Sequence, residues 1–391
     1  MIKNRHINIL QWLLCSILTM LFSACSSSDT AGEGAMEDSQ KQAKLAIYVY
    51  APEQAATAQK NAAQSRVDVG EVNPITSEGT IKSLQIWVYE SGKGNDVGYF
   101  STNDVAALNA GQGTTYQIPV SDEFASAKPD VNVYVMANVT SANCGVGTLN
   151  METTRAALLE GAKITAGHFG LVNLTKSVPE DGLPFAGQLT TQPVVGDAPT
   201  LRVGTLNAVS TVQLTRAVSK LRFVFSKTTG QPTVSIKSIK MNAGMIPDVE
   251  YLFKTPESMT YNTAAAELLS TAISDIAATA DPTQYLYTGQ EAQEYENLIN
   301  EAASKQPEEV TVEGPIYLRE SDKQLAGTIT YTIDGGTEKT VDFAMQQAGD
   351  FSRNHTWIVY AYYAGSGNLQ VQSLYVKNWS TKEMNYEFFN W

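Results

Sequence analysis

Alternation of apolar and polar residues recurs along most of this chain and restricts it to β-structure. Leu84, Ile86 and Val88 alternate with Gln85, Trp87 and Tyr89. Val131, Val133, Val135, Ala137 and Val139 share one parity, and Asn132, Tyr134, Met136 and Asn138 share the other. A period of two sends successive side chains to opposite faces of a pleated strand, so both runs read as strands. Leu221, Phe223 and Phe225 repeat the pattern around Arg222 and Val224. Trp357–Tyr363, Leu369–Val376 and Tyr386–Phe389 are further strand-like runs. Leu325–Ile333 and Val341–Met345 form a hairpin pattern across Asp334-Gly335-Gly336, where glycine accepts positive φ. Gly365-Ser366-Gly367-Asn368 is another turn.

Helical composition interrupts the strands in three places. Met151–Lys163 has an N-cap in Thr153 or Thr154 and an apolar face from Ala156, Leu158 and Leu159. Residues 262–278 and 289–304 are rich in Ala, Leu and Glu, and Gly289 and Pro307 bound the second. Gly- and Pro-rich segments run from about Val178 to Pro199, and a second strand-rich region begins near Leu214. The expected fold is mainly β with a few inserted helices, arranged as two β-sandwich domains in series over residues 67–213 and 214–391.

The start of the chain reads as a targeting segment. Lys3 and Arg5 precede an apolar run from Ile7 to Phe22, and Ser23-Ala24-Cys25 follows. Small residues before a cysteine suit lipoprotein processing after residue 24, leaving Cys25 as an acylated N-terminus. The alternatives are an ordinary secretory signal or a membrane-spanning helix, for which the run is short. Acyl chains such as palmitate anchor by burying methylenes, about 0.8 kcal/mol each. Ser26-Ser27-Ser28-Asp29 opens a tether over residues 26–44. Leu45–Tyr50 is then a short strand ended by Pro52. Residues 53–66 are Ala- and Gln-rich and end at Arg66, the kind of segment proteases prefer.

Charge and cysteine usage narrow the function. With 27 Lys plus Arg against 40 Asp plus Glu, the net charge of −13 disfavours nucleic acid as a partner. Of three cysteines, Cys15 would leave with the signal and Cys25 would carry lipid, so Cys144 stands alone and reads as a small buried residue. His168, in Ala166–Gly170, reads as a solvated loop residue, and His355 as one that satisfies backbone groups at a strand start. Neither stands in a metal-ligand spacing, and no phosphate loop or carboxylate pair presents itself. No catalytic residue, cofactor or metal is expected.

Several stretches resemble the Bacteroidales fimbrillins, the FimA-like subunits of type V pili. They are Val131–Thr140 (VNVYVMANVT), Leu183-Pro184-Phe185-Ala186-Gly187, Leu214–Leu221 (LTRAVSKL), Ile316–Ser321 (IYLRES) and Arg353–Trp357 (RNHTW). The resemblance implies transthyretin-like sandwiches and a structural role in a cell-surface fimbrium, with export to the outer membrane as a lipoprotein. It also implies polymerisation with other fimbrial subunits by donor-strand exchange. An arginine-specific protease removes the lipidated segment with its first strand, and a strand from another subunit fills the groove. Here the cut would fall between Arg66 and Val67 and release the pro-segment 25–66. Loss of residues 1–66 takes away six basic and five acidic residues, so the mature charge is near −14. Candidate donor residues are Leu369, Val371, Leu374 and Val376, and Tyr386, Phe388 and Phe389 in the run Met384–Trp391. The competing readings are an anchor or tip accessory subunit, and a glycan-binding surface lipoprotein using Trp87, Trp357, Trp379 and Trp391.

Overall fold

The computed structural model describes residues 43–51, 76–93, 96–109, 113–197, 200–203, 211–290, 292–345, 347–365 and 367–376. The signal segment, Cys25, Arg66, Val67, Trp379, Trp391 and the run Met384–Trp391 lie outside these residues.

The first ten strands are β1 (Lys44–Tyr50), β2 (Leu84–Glu90), β3 (Asp96–Thr102), β4 (Thr114–Pro119), β5 (Asp130–Ala137), β6 (Lys163–Ile164), β7 (Phe185–Asp197), β8 (Thr200–Val203), β9 (Thr211–Gln213) and β10 (Thr215–Arg216). One sheet takes the order β3-β2-β5-β7-β8-β1-β4, with β10 paired to β7 and β9 to β1. The sheet coils until its two ends meet. A Cβ on Gly98 of β3 would stand 2.7 Å from Ile118 Cγ2 of β4, so glycine permits this approach.

The alternation of β2 and β5 is observed, and both faces of each strand are buried. Leu84, Ile86, Val88, Val131, Val133, Val135 and Ala137 face the interior of the coiled sheet. Trp87, Tyr89, Tyr134 and Met136 face a second cluster that also holds Cys144, Leu158, Leu183, Phe253 and Tyr317. The period stops one residue before expected. Asn138 takes φ 57° and turns the chain, so Val139 joins the second cluster instead of the first. The Asn138 amide is fully buried and ties together two segments, the stretch before β2 and the one before β7. Its Oδ1 accepts from Lys82 N at 2.7 Å, and its Nδ2 donates to Thr80 O at 2.7 Å and Leu183 O at 2.9 Å.

The remaining strands are β11 (Ser219–Thr228), β12 (Val234–Met241), β13 (Glu250–Tyr251), β14 (Ala266–Glu267), β15 (Ala278–Thr279), β16 (Thr311–Leu318), β17 (Ala326–Ile333), β18 (Lys339–Ala344), β19 (Thr356–Tyr363) and β20 (Gln370–Val376). They form one sheet of order β15-β11-β19-β20, with β16 on β11, and another of order β14-β12-β17-β18. The two sheets sandwich Leu221, Phe223, Phe225, Ile236, Ile239, Ile329, Phe343, Trp357 and Val359. The opposite face of β11 and β19 carries Val224, Ile358 and Tyr360 and is covered by the helix Ala292–Lys305 through Tyr295, Ile299 and Ala302. The hairpin turn holds Asp334 at φ 54° and Gly335 at φ 68°. The architecture is thus mainly β, with β-sandwich packing and few helices.

Two helix expectations need correction, and one stretch that carried no assignment holds a strand. The helix expected over Met151–Lys163 spans only Arg155–Gly161, started by Thr154, whose hydroxyl accepts from Ala157 N at 3.3 Å. The Gly- and Pro-rich stretch 178–199 contains the thirteen-residue β7. Residues 262–278 are not a helix. Their short polar side chains bond to backbone and favour an irregular path. Asn262 Oδ1 accepts from Met245 N and Ile246 N at 2.8 Å each, and Asp275 Oδ1 accepts from Val234 N at 2.8 Å. The segment lies along β12 with Leu268 and Ile276 in the sandwich core.

Asn138→Ala should cost about 3 kcal/mol, because it strands buried backbone groups of two segments and puts at positive φ a residue that tolerates the left-handed region less well than asparagine. Equilibrium urea unfolding measures this. A loss below about 1 kcal/mol would mean that Asn138 is not the hub its hydrogen bonds describe.

Candidate functional site

β1 is the strand that sequence reading marks as removable, and its placement makes it the candidate site. It lies between β4 on one side and β8 with β9 on the other. Against β4 it runs antiparallel, with Leu45 opposite Ile118 and Ile47 opposite Tyr116. Lys44–Ala46 pair in parallel with Thr200–Arg202, and Tyr48–Tyr50 with Thr211–Gln213. Ala43, Leu45, Ile47, Val49 and Ala51 all point into the interior of the coiled sheet, among Tyr116, Ile118, Val212 and Leu214. Leu45, Ile47 and Val49 have no exposed surface, and burial of each contributes about 1.5–3 kcal/mol.

Backbone bonds close both ends of this seat. Val120 N donates to Ala43 O at 2.9 Å, and Leu214 N donates to Tyr50 O at 2.9 Å. On the outer face Tyr48 and Tyr50 stack with ring centroids 6.2 Å apart, and Tyr50 Oη donates to Gln213 Oε1 at 3.0 Å. Burial pushes the Tyr116 phenol up, so the wall facing Ile47 stays uncharged near neutral pH. Among the described residues β4 is hydrogen-bonded in the sheet only through β1. Without β1, β4 would keep its side-chain packing but lose its ladder partner. The seat is therefore shaped for a strand that pairs on both edges and buries aliphatic side chains on one face.

The candidate donor residues fall in two places. Leu369 is buried and Val371 is half-buried against the sandwich core. Leu374 and Val376 belong to β20, which among the described residues is an edge strand paired with β19, where Leu374 lies opposite Ile358 and Val376 opposite Thr356. Gln372 ties β20 to the preceding loop, since its Oε1 accepts from Tyr287 N at 2.9 Å and its Nε2 donates to Tyr287 O at 3.1 Å. Tyr386, Phe388 and Phe389 are outside the described residues.

A second site emerges where the fimbrillin-like stretches meet. β10 pairs Thr215 with Ala186 and Arg216 with Phe185, and Asn354 N donates to Val218 O at 2.9 Å. Lys220 N donates to His355 O at 2.8 Å. At the centre lies Glu78, in the short turn Thr76–Gly79. Its carboxylate meets Lys220 Nζ at 3.2 Å and accepts from the Tyr317 hydroxyl, while its carbonyl accepts from Arg216 Nε at 2.9 Å. Lys220 also meets Glu296 at 3.1 Å. Beside them, burial pulls the Arg222 guanidinium down from its usual range, against the pull of Glu296 and Glu78. Glu78 and Glu296 gave no signal in the sequence, because an acid in an acidic chain reads as solvated until a basic partner is folded onto it.

Arg353 completes the junction. It donates to Glu320 through Nε at 3.1 Å, and its Nη2 lies 3.2 Å from Glu250 Oε1. Burial works against the Arg353 charge, but Glu250 and Glu320 outweigh it and hold its pKa above the usual range. Burial pushes the Glu250 carboxyl up to about 8, despite Arg353. His355 satisfies backbone groups as expected, with Nδ1 at 2.8 Å from Arg353 O. Cys144 is fully buried and its thiol is pushed up by burial. Trp87 and Trp357 are core residues at 0% and 1% exposure, which removes them from any glycan platform. Among the described residues no group of three or more His, Cys, Asp or Glu is arranged to hold a metal ion, and no helix is long and apolar enough to cross a membrane.

Residues 57–216 match the family model for the major fimbrial subunit protein, FimA. The match spans 160 of the 391 residues and supports the resemblance to the fimbrial subunit family. No curated protein matches it. Among solved structures it is similar to a candidate cell adhesion protein from Parabacteroides distasonis, with TM-score 0.46 and 13% identity over 87% of this chain and 99% of the other. The tip fimbrial protein Mfa3 from Porphyromonas gingivalis gives TM-score 0.43 and 11% identity over 86% and 100%. A fimbrial assembly protein from Parabacteroides distasonis gives TM-score 0.40 and 13% identity over 85% and 99%.

Lys220→Met should destabilise the protein by about 3–5 kcal/mol, since it leaves Glu78 and Glu296 buried without their shared cation. Urea unfolding reads this directly, and a near-neutral result would deny Lys220 that role. Glu250 predicts a pH dependence. Its folded pKa lies above its ordinary 4.5, so its contribution is fully present at low pH and is lost as pH rises through about 8. Glu250→Gln should match wild type in thermal melts near pH 5 and exceed it near pH 9. Parallel wild-type and variant curves across that window would contradict the assignment.

Proposed function

We propose that this chain is a polymerising structural subunit of a cell-surface fimbrium, not an enzyme. It is exported as a lipoprotein through Cys25 and activated by cleavage between Arg66 and Val67. The pro-segment 25–66 carries β1, and residues 67–213 and 214–391 act as two sandwich domains in series. An arginine-specific protease frees β1 from the rest of the chain. A C-terminal strand of another subunit then takes its place.

One observation carries this reading. β1 is the first described element, is fully integrated in the sheet, and is separated from the turn Thr76–Gly79 by a stretch that contains Arg66. A single cut there severs a strand whose departure opens the sheet along its length and leaves β4 without a ladder partner. Among the described residues β20 stands at an edge, and this supports a C-terminal donor, because an edge strand can leave by breaking one ladder instead of two.

Pro-protein lacking residues 1–24 should yield a new N-terminus at Val67 on treatment with an arginine-specific protease. SDS-resistant multimers should follow. Arg66→Ala should abolish both, read by N-terminal sequencing and mild SDS gels. Cleavage at Val67 that leaves a stable monomer would sink strand exchange and favour a tip subunit. Resistance at Arg66 would favour an anchor that keeps its lipid.

A further inference from the structure

The outer face of β1 holds a feature that the burial of its aliphatic face does not explain. Tyr48 lies opposite Thr115 of β4, and its ring extends diagonally over Gly113. A Cβ on Gly113 would fall 1.9 Å from Tyr48 Oη and 2.0 Å from Cζ. Gly113 is not at positive φ, so the backbone does not require glycine there. What the position requires is the absence of a side chain. An aromatic ring laid across a cross-strand glycine covers the backbone that glycine leaves bare, and such pairing helps to pin register. Tyr50, two residues further along the same strand, stacks on Tyr48, so the ring also has a neighbour on β1.

The strand that follows β19 carries the same order of residues. Ser373-Leu374-Tyr375-Val376 matches Ala46-Ile47-Tyr48-Val49 as small, aliphatic, tyrosine, valine. In that alignment Leu374 and Val376 take the inward positions of Ile47 and Val49, and Tyr375 takes the outward position of Tyr48. A strand of the same polarity as β1 would keep antiparallel pairing to β4 and parallel pairing to β9. The correspondence covers the half of the seat beside β9. At the β8 end, Gln372 stands where Leu45 does.

We infer that Gly113 is a specificity subsite for an aromatic side chain, and that Tyr375 of a second copy replaces Tyr48 on it. This rests on the strand-exchange reading above. The subsite fixes the register of the incoming strand: a slip of one residue would put Leu374 or Val376 over Gly113 and turn the tyrosine into the core.

The test uses full-length pro-protein cut at Arg66, with multimer formation followed over time on mild SDS gels. Gly113→Val is introduced together with Tyr48→Ala, so that the pro-protein's own strand still fits; thermal melts before cleavage check the fold. This variant and Tyr375→Ala should each polymerise roughly three- to tenfold more slowly than wild type, the range expected for loss of one aromatic contact. Tyr375→Phe should match wild type, because the ring and not the hydroxyl covers glycine. Combining Tyr375→Ala with the filled subsite should recover much of the rate. Normal polymerisation of either variant, or no recovery in the combination, overturns the subsite while leaving strand exchange intact. Wild-type protein that is cut and stays monomeric overturns strand exchange and the subsite with it.

Discussion

The burial of Leu45, Ile47 and Val49 between β4 and the β8–β9 edge is the contact on which the first sheet depends. These side chains come from a strand that precedes Arg66, yet they complete a core otherwise made by residues after it. A sheet that coils until its ends touch needs every strand in its order. Removing β1 therefore interrupts the ladder between β8 and β4 and exposes an apolar trough at once. An open trough with unpaired edges is a hazard for aggregation unless another strand fills it.

The junction of the fimbrillin-like stretches answers a different demand. Lys220 with Glu78 and Glu296, and Arg353 with Glu320, place charges where apolar residues would pack more cheaply. Their geometry ties the turn before β2 to β11, β16 and the helix Ala292–Lys305. The turn at Glu78 is the first described element after Arg66. Its anchorage means that a cut at Arg66 separates β1 from a segment held on the far side by buried bonds.

Much of the fold was legible in the sequence because period-two alternation survives wherever a strand has distinct faces. β2, β5 and β11 were read from it, while β1 and β19 were read as short strand-like runs and the β17–β18 hairpin from its Asp-Gly-Gly turn. The alternation over Val131–Val139 misled only at its end, where Asn138 takes a positive φ that no pattern of hydropathy encodes. Residues 262–278 failed for a related reason: their Ala and Leu content suits a helix, but Asn262 and Asp275 bond to backbone across the chain instead. The buried acids at 78, 250 and 296 were illegible because burial of a carboxylate is decided by partners distant in sequence. The seat of β1 was half legible. Its occupant could be read from Leu45–Tyr50, whereas Gly113, which shapes its outer face, looked like one more loop glycine.

On the proposed reading, cleavage does not by itself open the seat. It converts β1 from a tethered part of the chain into a separate strand held by affinity alone. Before the cut, the short connection keeps β1 at high effective concentration, so any strand that frays away returns before a competitor arrives. After the cut, a departed β1 is diluted into solvent, and the C-terminal strand of a neighbour competes on equal terms. The three buried aliphatic residues make that departure slow, because several kcal/mol of apolar burial must be lost before the incoming strand recovers it. Exchange that proceeds stepwise along the seat, one pair of ladder bonds replaced as another breaks, avoids exposing the whole trough. The division of the seat between β8 and β9 offers such a path, since each half of β1 pairs with a different strand. An incoming Leu374-Tyr375-Val376 would then begin at the β9 half, where its side chains correspond to those it displaces.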